Sequence, residues 1–151
     1  MPILAILVCS FALYTLANAE ETALPEDVKV VSPAPEVPQK LAQFSGIWEG
    51  TWSGKDFEKG SQMTLVIQEI KPSQSGGFDL TGVYSVNDLP EGYMDFGGSW
   101  KRFTIAVPLP AANDNVKIVF NTSAARLEFS LIAKDQMSGV GTSFEGKNRG
   151  V

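Results

Sequence analysis

The residues best suited to a binding chemistry are aromatic side chains in and around one long predicted loop. Two of them lie in predicted strands, and the others lie within or beside that loop. Aromatic rings that line the mouth of a small β-domain hold apolar ligands or sugar rings. The candidate ligand-binding residues are Trp52, Tyr84, Tyr93, Phe96 and Trp100. For Trp52 and Tyr84 the alternative is that they fill the core, as strand aromatics commonly do.

The loop spans residues 87–99 and reads NDLPEGYMDFGGS. A loop of this length inside a compact domain is often a lid or a binding loop. Its glycines leave the backbone mobile, whereas Tyr93, Met94 and Phe96 are apolar. These side chains either fold over the domain or form a contact patch. The loop is therefore predicted to close over a small ligand or to contact a protein partner.

Catalysis is nearly excluded by the composition. The sequence has no histidine, and its single cysteine, Cys9, lies near the N-terminus. Nucleophilic triads and His/Cys metal sites are therefore not available. Acid catalysis needs two facing carboxyl groups, but strand parity points Glu49, Asp79 and Glu128 away from the apolar face. Only Glu69 continues that face, so we expect no enzyme, no catalytic residues, no metal and no cofactor.

The charge balance limits the class of partner. Lys and Arg number 12 and Asp and Glu number 17, which gives a net charge of −5. Phosphate backbones and anionic membrane surfaces are bound by clustered basic residues. The sequence therefore predicts no nucleic-acid partner and no electrostatic attachment to a membrane.

Residues 1–19 have the pattern of a signal peptide. An apolar run from Ile3 to Leu16 is shorter than the ~20 residues of a spanning helix, and it ends in Ala17-Asn18-Ala19. Small residues at these positions are typical of a signal-peptidase site. We expect cleavage after Ala19, which gives a secreted or periplasmic protein without stable membrane insertion after processing. Because no Lys or Arg precedes the run, an uncleaved anchor is the alternative.

Residues 20–43 are predicted to form a proline-rich linker. Four prolines disfavour helix and sheet pairing, which indicates an extended tether. A short edge strand at 28–31 is the minority alternative. The β-domain is then expected over residues 44–151.

From residue 47 onward the polarity of the side chains alternates with a period of two. This pattern is typical of half-buried antiparallel strands. Short, turn-rich connections indicate an up-and-down meander of about seven or eight strands. Such a sheet hides its edges by closing, so we expect an all-β, closed or nearly closed barrel, with a β-sandwich as the alternative. The seven predicted strands are 47–53, 62–70, 78–85, 101–107, 115–121, 126–132 and 136–144.

The sequence Gly46-Ile47-Trp48 at the start of the first of these strands resembles the calycins. This group includes the lipocalins, the avidins and a family of bacterial metalloprotease inhibitors. In lipocalin-like barrels the G-x-W tryptophan plugs the closed end, often under a basic side chain. The resemblance gives this position to Trp48, with Lys147 or Arg149 as the basic partner. The segment 80–84, LTGVY, is similar to the G-x-Y strand of avidins.

These observations predict an exported, non-catalytic binding protein. The leading hypothesis is a carrier or sensor for a small apolar or aromatic ligand. The alternative is a protein-interaction or inhibitor module of the cell envelope or extracellular space that uses the loop 87–99. A carrier needs an internal cavity, whereas an interaction module can be filled with side chains. The packing of the interior therefore distinguishes the two hypotheses.

Overall fold

A computed structural model describes residues 6–12, 23–53, 60–87, 99–123 and 125–144 of the 151. These residues form eight β-strands and one short helix. In chain order they are β1 (Ile6–Ala12), α1 (Gln39–Ala42), β2 (Gly46–Ser53), β3 (Ser61–Pro72), β4 (Phe78–Val86), β5 (Lys101–Val107), β6 (Lys117–Asn121), β7 (Ala125–Ala133) and β8 (Gln136–Ser143).

All strand pairs are antiparallel, as the alternating pattern predicted. From β2 to β5 each strand pairs with the next, and the same holds from β6 to β8. The seven strands after α1 therefore form one group of four and one group of three. The strand β1 lies between the two groups, and the hydrogen-bonded order is β5-β4-β3-β2-β1-β8-β7-β6.

The expectation was a closed or nearly closed barrel, and no closed barrel is found in the described part of the chain. Within the described residues, no backbone pairing joins the two outer strands, β5 and β6. The two strand groups instead share one core in a sandwich-like arrangement, which was the alternative. Pro108 and Pro110 directly follow β5. Because proline lacks an N–H donor, these residues end the strand and prevent a tight hairpin into β6.

A β-bulge in β3 decides which side chains face the core. The pairing register with β4 shifts by one residue between Ile67 and Glu69. The shift leaves Ile70 buried and places Glu69 outside, where its carboxylate lies 3.2 Å from Lys71 Nζ. The expectation that Glu69 continues the apolar face is therefore wrong. It assumed an unbroken period of two, and one inserted residue inverts the faces beyond it.

The proline-rich segment lies against the outer face of the group of four. The Val31 N–H donates to the carbonyl of Gln68, the bulged residue, at 2.7 Å. Asp27 forms an ion pair with Arg102 of β5. No strand forms at 28–31. The segment contains two turns, closed by bonds from the Val28 N–H to the Pro25 carbonyl and from the Val37 N–H to the Ala34 carbonyl, and it contacts the domain at the two points above. Its role as a linker stays a prediction.

Burial extends to the outer face of the sheet as well. Val66 and Val83 are 0% and 1% exposed although they lie outside the main core cluster. Their face is the one that the proline-rich segment crosses. Further along the chain, Val37 and Leu41 belong to the main core. The domain boundary at residue 44 stays a prediction, but core packing begins before it.

Close packing explains the glycine at position 82 in β4. A Cβ at Gly82 would lie 2.3 Å from the Val66 carbonyl oxygen and 2.6 Å from the Phe103 ring. The ring can move, but the carbonyl oxygen belongs to the backbone of β3. We expect Gly82→Ala to lower the free energy of unfolding by about 1–3 kcal/mol, measured by urea melts. The neighbouring Thr81→Ala is the control, with an expected change below about 1 kcal/mol. Equal losses in both variants would contradict the steric explanation.

Candidate functional site

The lower end of the domain, defined as the end that carries α1, is closed by buried side chains. Leu41 of α1 and Phe44 are both fully buried. Trp48 is 1% exposed, and its indole Nε1–H donates to the Phe44 carbonyl at 2.8 Å. This bond satisfies the polar atom of the buried indole. Trp48 is therefore buried beside α1 at the lower end of the domain. The role of a barrel plug, which the G-x-W resemblance implies, stays a prediction, and its expected basic partners, Lys147 and Arg149, lie outside the described residues.

A row of aromatic rings crosses the interior between the two strand groups. Trp52 of β2 meets Phe129 of β7 edge-on, with ring centroids 6.3 Å apart. Phe129 is followed by Phe120 of β6 at 5.8 Å. Phe120 contacts Tyr84 of β4 at 5.5 Å and stacks on Phe103 of β5 at 4.3 Å. These five residues are called the aromatic row below. Side chains fill the interior along this line.

Two of the candidate ligand-binding residues, Trp52 and Tyr84, belong to the aromatic row. They are 2% and 4% exposed. The Trp52 Nε1–H donates to the Met63 sulfur at 3.0 Å. As packed, the row leaves almost no surface of Trp52 or Tyr84 for a ligand. Their part in ligand binding stays a prediction, and it requires the row to open.

Of the predicted loop 87–99, the structure describes only the first residue, Asn87, and the last, Ser99, followed by Trp100. Tyr93 and Phe96 lie outside the described residues. At the beginning of the loop, the Asn87 N–H donates to the Gln62 carbonyl at 2.8 Å. At its end, Trp100 is half-buried just before β5. The structure thus places Trp52 and Tyr84 in one row and leaves Trp100 partly accessible.

The charged side chains do not form a catalytic or metal-binding cluster within the described residues. No group of three or more His, Cys, Asp or Glu able to hold a metal ion occurs there. Glu128 is partly exposed and lies 2.5 Å from Lys117 Nζ across β6 and β7. Ion pairs of this kind contribute about 0–1 kcal/mol to stability. In the same described part of the chain, no helix is long and apolar enough to cross a membrane.

An open groove of about 320 Å³ lies beside α1 at the lower end. Lys40 Nζ donates to the carbonyls of Ala112 at 2.5 Å and Asp114 at 3.2 Å. The Asp114 carboxylate accepts the Ala111 N–H at 2.7 Å. The two Lys40 bonds join α1 to the β5–β6 connection, and the bond between Asp114 and Ala111 lies within that connection. Sequence reasoning missed the groove because its two sides come from distant segments without a motif. Its lining is Lys40, Gln43, Phe44, Asn113, Asp114, Asn115, Val116 and Leu131.

Burial of Tyr84 predicts a loss of stability at alkaline pH. Desolvation raises the pKa of the Tyr84 phenol above its ordinary value of 10.0, because burial disfavours the phenolate. Above about pH 10 the unfolded chain loses this proton while the folded chain keeps it, so stability falls as pH rises. We expect Tyr84→Phe to reduce this fall in urea melts between about pH 9 and pH 11. The same pH slope in both proteins would contradict the prediction.

No family model, curated protein or solved structure matches this chain. The strand pairing establishes an all-β, antiparallel architecture. The resemblance to calycins rests on the sequence patterns around Trp48 and at 80–84 alone.

Proposed function

We propose that the protein is an exported, non-catalytic binding protein that acts on a protein partner. In this role it is an interaction or inhibitor module of the cell envelope or extracellular space. The aromatic row is the observation that supports the proposal. A carrier needs an internal pocket of roughly 300–1,000 Å³. The aromatic row occupies the region between the two strand groups where such a pocket would lie, and the groove beside α1 is open to solvent and lined mostly by polar residues.

The carrier hypothesis requires the packed rings of the aromatic row to move apart. A small apolar ligand between Trp52 and Tyr84 would have to separate rings that are now in contact. The ligand would have to replace the dispersion and burial that these rings give one another. A partner that binds on the outside leaves the row intact. The interaction module therefore fits the packing of the described residues better.

The composition and the packing around Trp48 support two further parts of the proposal, namely the absence of catalysis and a calycin-like architecture. The absence of histidine and the scattered, partly exposed carboxylates support a role without catalysis. A calycin-like architecture, without a closed ladder, is supported by Trp48 beneath α1 and by the meander order of the strands. The negative net charge disfavours a nucleic-acid partner.

Native mass spectrometry of protein purified from its own host tests the proposed function. We expect a complex with a second protein and no stoichiometric small molecule. A titration with the apolar dye anilinonaphthalene sulfonate should give no saturable binding, because the interior is filled. Phe129→Ala, which removes one ring of the row, is the control that shows whether an opened interior is detected. A stoichiometric small molecule that competes with saturable dye binding would establish the carrier instead.

A further inference from the structure

The strand β1 enters the sheet differently from the other described strands. Each of the others pairs with a strand that is adjacent in the sequence. In contrast, β1 is separated from β2 by residues 13–45, yet it lies between β2 and β8, the first and last strands of the meander. Cys9 is opposite Trp52 on one side and opposite Gly139 on the other. The two strand groups are thus joined through an inserted strand.

This inserted strand lies within the predicted signal peptide. Cleavage after Ala19 would remove all of Ile6–Ala12 from the exported protein. Both β2 and β8 would then present unpaired N–H and C=O groups along facing edges. Unpaired edges of this kind are templates for the addition of another strand.

The Trp52 ring of β2 reaches Gly141 of β8 across the width of β1. The ring lies 3.2 Å from the position that a Cβ on Gly141 of β8 would take, although β1 runs between the two strands. With β1 in place the backbones of β2 and β8 are about 9.5 Å apart, which is twice the spacing of paired strands. Direct pairing of β2 with β8 would bring Gly141 into the space of this ring. The hydrogen bond to Met63 holds the ring in that space.

The described N-terminal residues that remain after cleavage are already engaged elsewhere. Asp27 pairs with Arg102 on β5, and Val31 is bonded to Gln68 on β3. Leu41 is buried in the main core. Within the described part of the chain, no spare strand is left to fill the place of β1.

We propose that the processed protein binds an extended strand of its partner protein between β2 and β8. The incoming strand runs antiparallel to both edges and takes the place of β1. This inference rests on the proposed function, because it names the surface at which the partner binds. The place between β2 and β8 is called the strand slot below.

The register of β1 defines the chemistry of the incoming strand. The segment Ile6–Ala12 reads ILVCSFA and carries no charge. Its alternate positions are opposite Met137, Gly139 and Gly141 of β8, which are buried. A partner strand of about the same length therefore needs small or apolar residues at alternate positions facing the core. The remaining positions lie opposite exposed residues such as Val140 and accept polar side chains.

The test uses the exported protein, with its N-terminus established by intact mass, and a synthetic peptide. The peptide carries the sequence of Ile6–Ala12 with Cys9→Ser and with flanking lysines for solubility. We expect saturable one-to-one binding, a change in tryptophan fluorescence from Trp52, and new hydrogen-exchange protection in 46–53 and 136–143. The matched control peptide also carries Val8→Pro, which removes a backbone donor, and should bind at least tenfold more weakly.

The full-length chain with Val8→Pro provides a second measurement. Its own β1 should pair poorly, so this variant should bind the unmodified peptide, whereas the unaltered full-length chain should not. Three results would overturn the strand slot. They are retention of residues 6–12 in the exported protein, protection before peptide is added of those amides in 46–53 and 136–143 that point away from β3 and β7 toward the slot, and equal binding of both peptides. A partner complex that persists in excess peptide would overturn the slot and leave the proposed function standing. Recovery of a small-molecule complex instead would overturn the proposed function.

Discussion

Replacing Trp48 with alanine is expected to lower the free energy of unfolding by about 3–5 kcal/mol. The Trp48 side chain is buried at the lower end among residues that include Leu41 and Phe44. Its removal leaves a cavity that the surrounding strands and α1 fill only in part. The Phe44 carbonyl also loses the indole N–H that it accepts, and an unpaired buried acceptor adds to the loss.

Urea melts of three variants separate two contributions to the loss of stability, the lost side-chain volume and the lost hydrogen bond of Trp48. Trp48→Phe keeps much of the ring volume and removes the N–H, so its loss should be smaller than that of Trp48→Ala. Ile47→Ala, at the adjacent and partly exposed position, controls for alanine in the strand and should cost less than about 1 kcal/mol. A change below about 0.5 kcal/mol for Trp48→Ala would contradict both the structural role of Trp48 and the comparison with calycins.

The strands after residue 45 were predictable because alternation is a local property. Each strand of the meander carries apolar residues on one side, and short polar connections separate the strands. The same rule failed at Glu69, since a bulge is set by pairing with β4 and leaves no mark in the polarity pattern. The local pattern therefore predicted the strands correctly, and it predicted the core-facing side of β4 to β7 as well, whereas in β3 it failed beyond the bulge.

Features that join distant segments were not predictable in the same way. The proline-rich segment has the composition of a tether, but the bulged Gln68 carbonyl and the Arg102 side chain fix it on the sheet. Neither contact has a sequence signature. Barrel closure was inferred from the need to hide edges, whereas the prolines after β5 end the ladder. The insertion of β1 depends on a long-range pairing that an apolar run with the pattern of a signal peptide does not indicate.

In the candidate site, too, local features were predictable from the sequence and contacts between distant segments were not. Trp52 and Tyr84 were selected for their residue type and strand position, and residue type cannot distinguish a ring that lines a mouth from one that fills a core. Phe103, Phe120 and Phe129 complete the row with them. These three phenylalanines were assigned only to strand faces, because contacts across the interior depend on how two strand groups meet.

Phe120 is expected to be the second position with a large effect on stability, because it joins β5 and β6 where no backbone pairing does. Its ring stacks on Phe103 with centroids 4.3 Å apart and an interplanar angle of 6°. It also contacts Tyr84 and Phe129. Phe120→Ala removes the ring that connects the two strand groups, and we expect a loss of about 3–5 kcal/mol in urea melts.

A double-mutant cycle with Phe103→Ala measures how much of this loss belongs to the contact between β5 and β6. For a stacked pair the coupling energy should be about 0.5–1.5 kcal/mol. Phe120→Leu is the matched control, since it keeps an apolar side chain and loses only the aromatic stacking. Zero coupling would mean that Phe120 stabilises its own strand group alone. Within the described residues, β5 and β6 share no backbone pairing. A measurable coupling would therefore mean that side-chain contacts stabilise the association of these two strands.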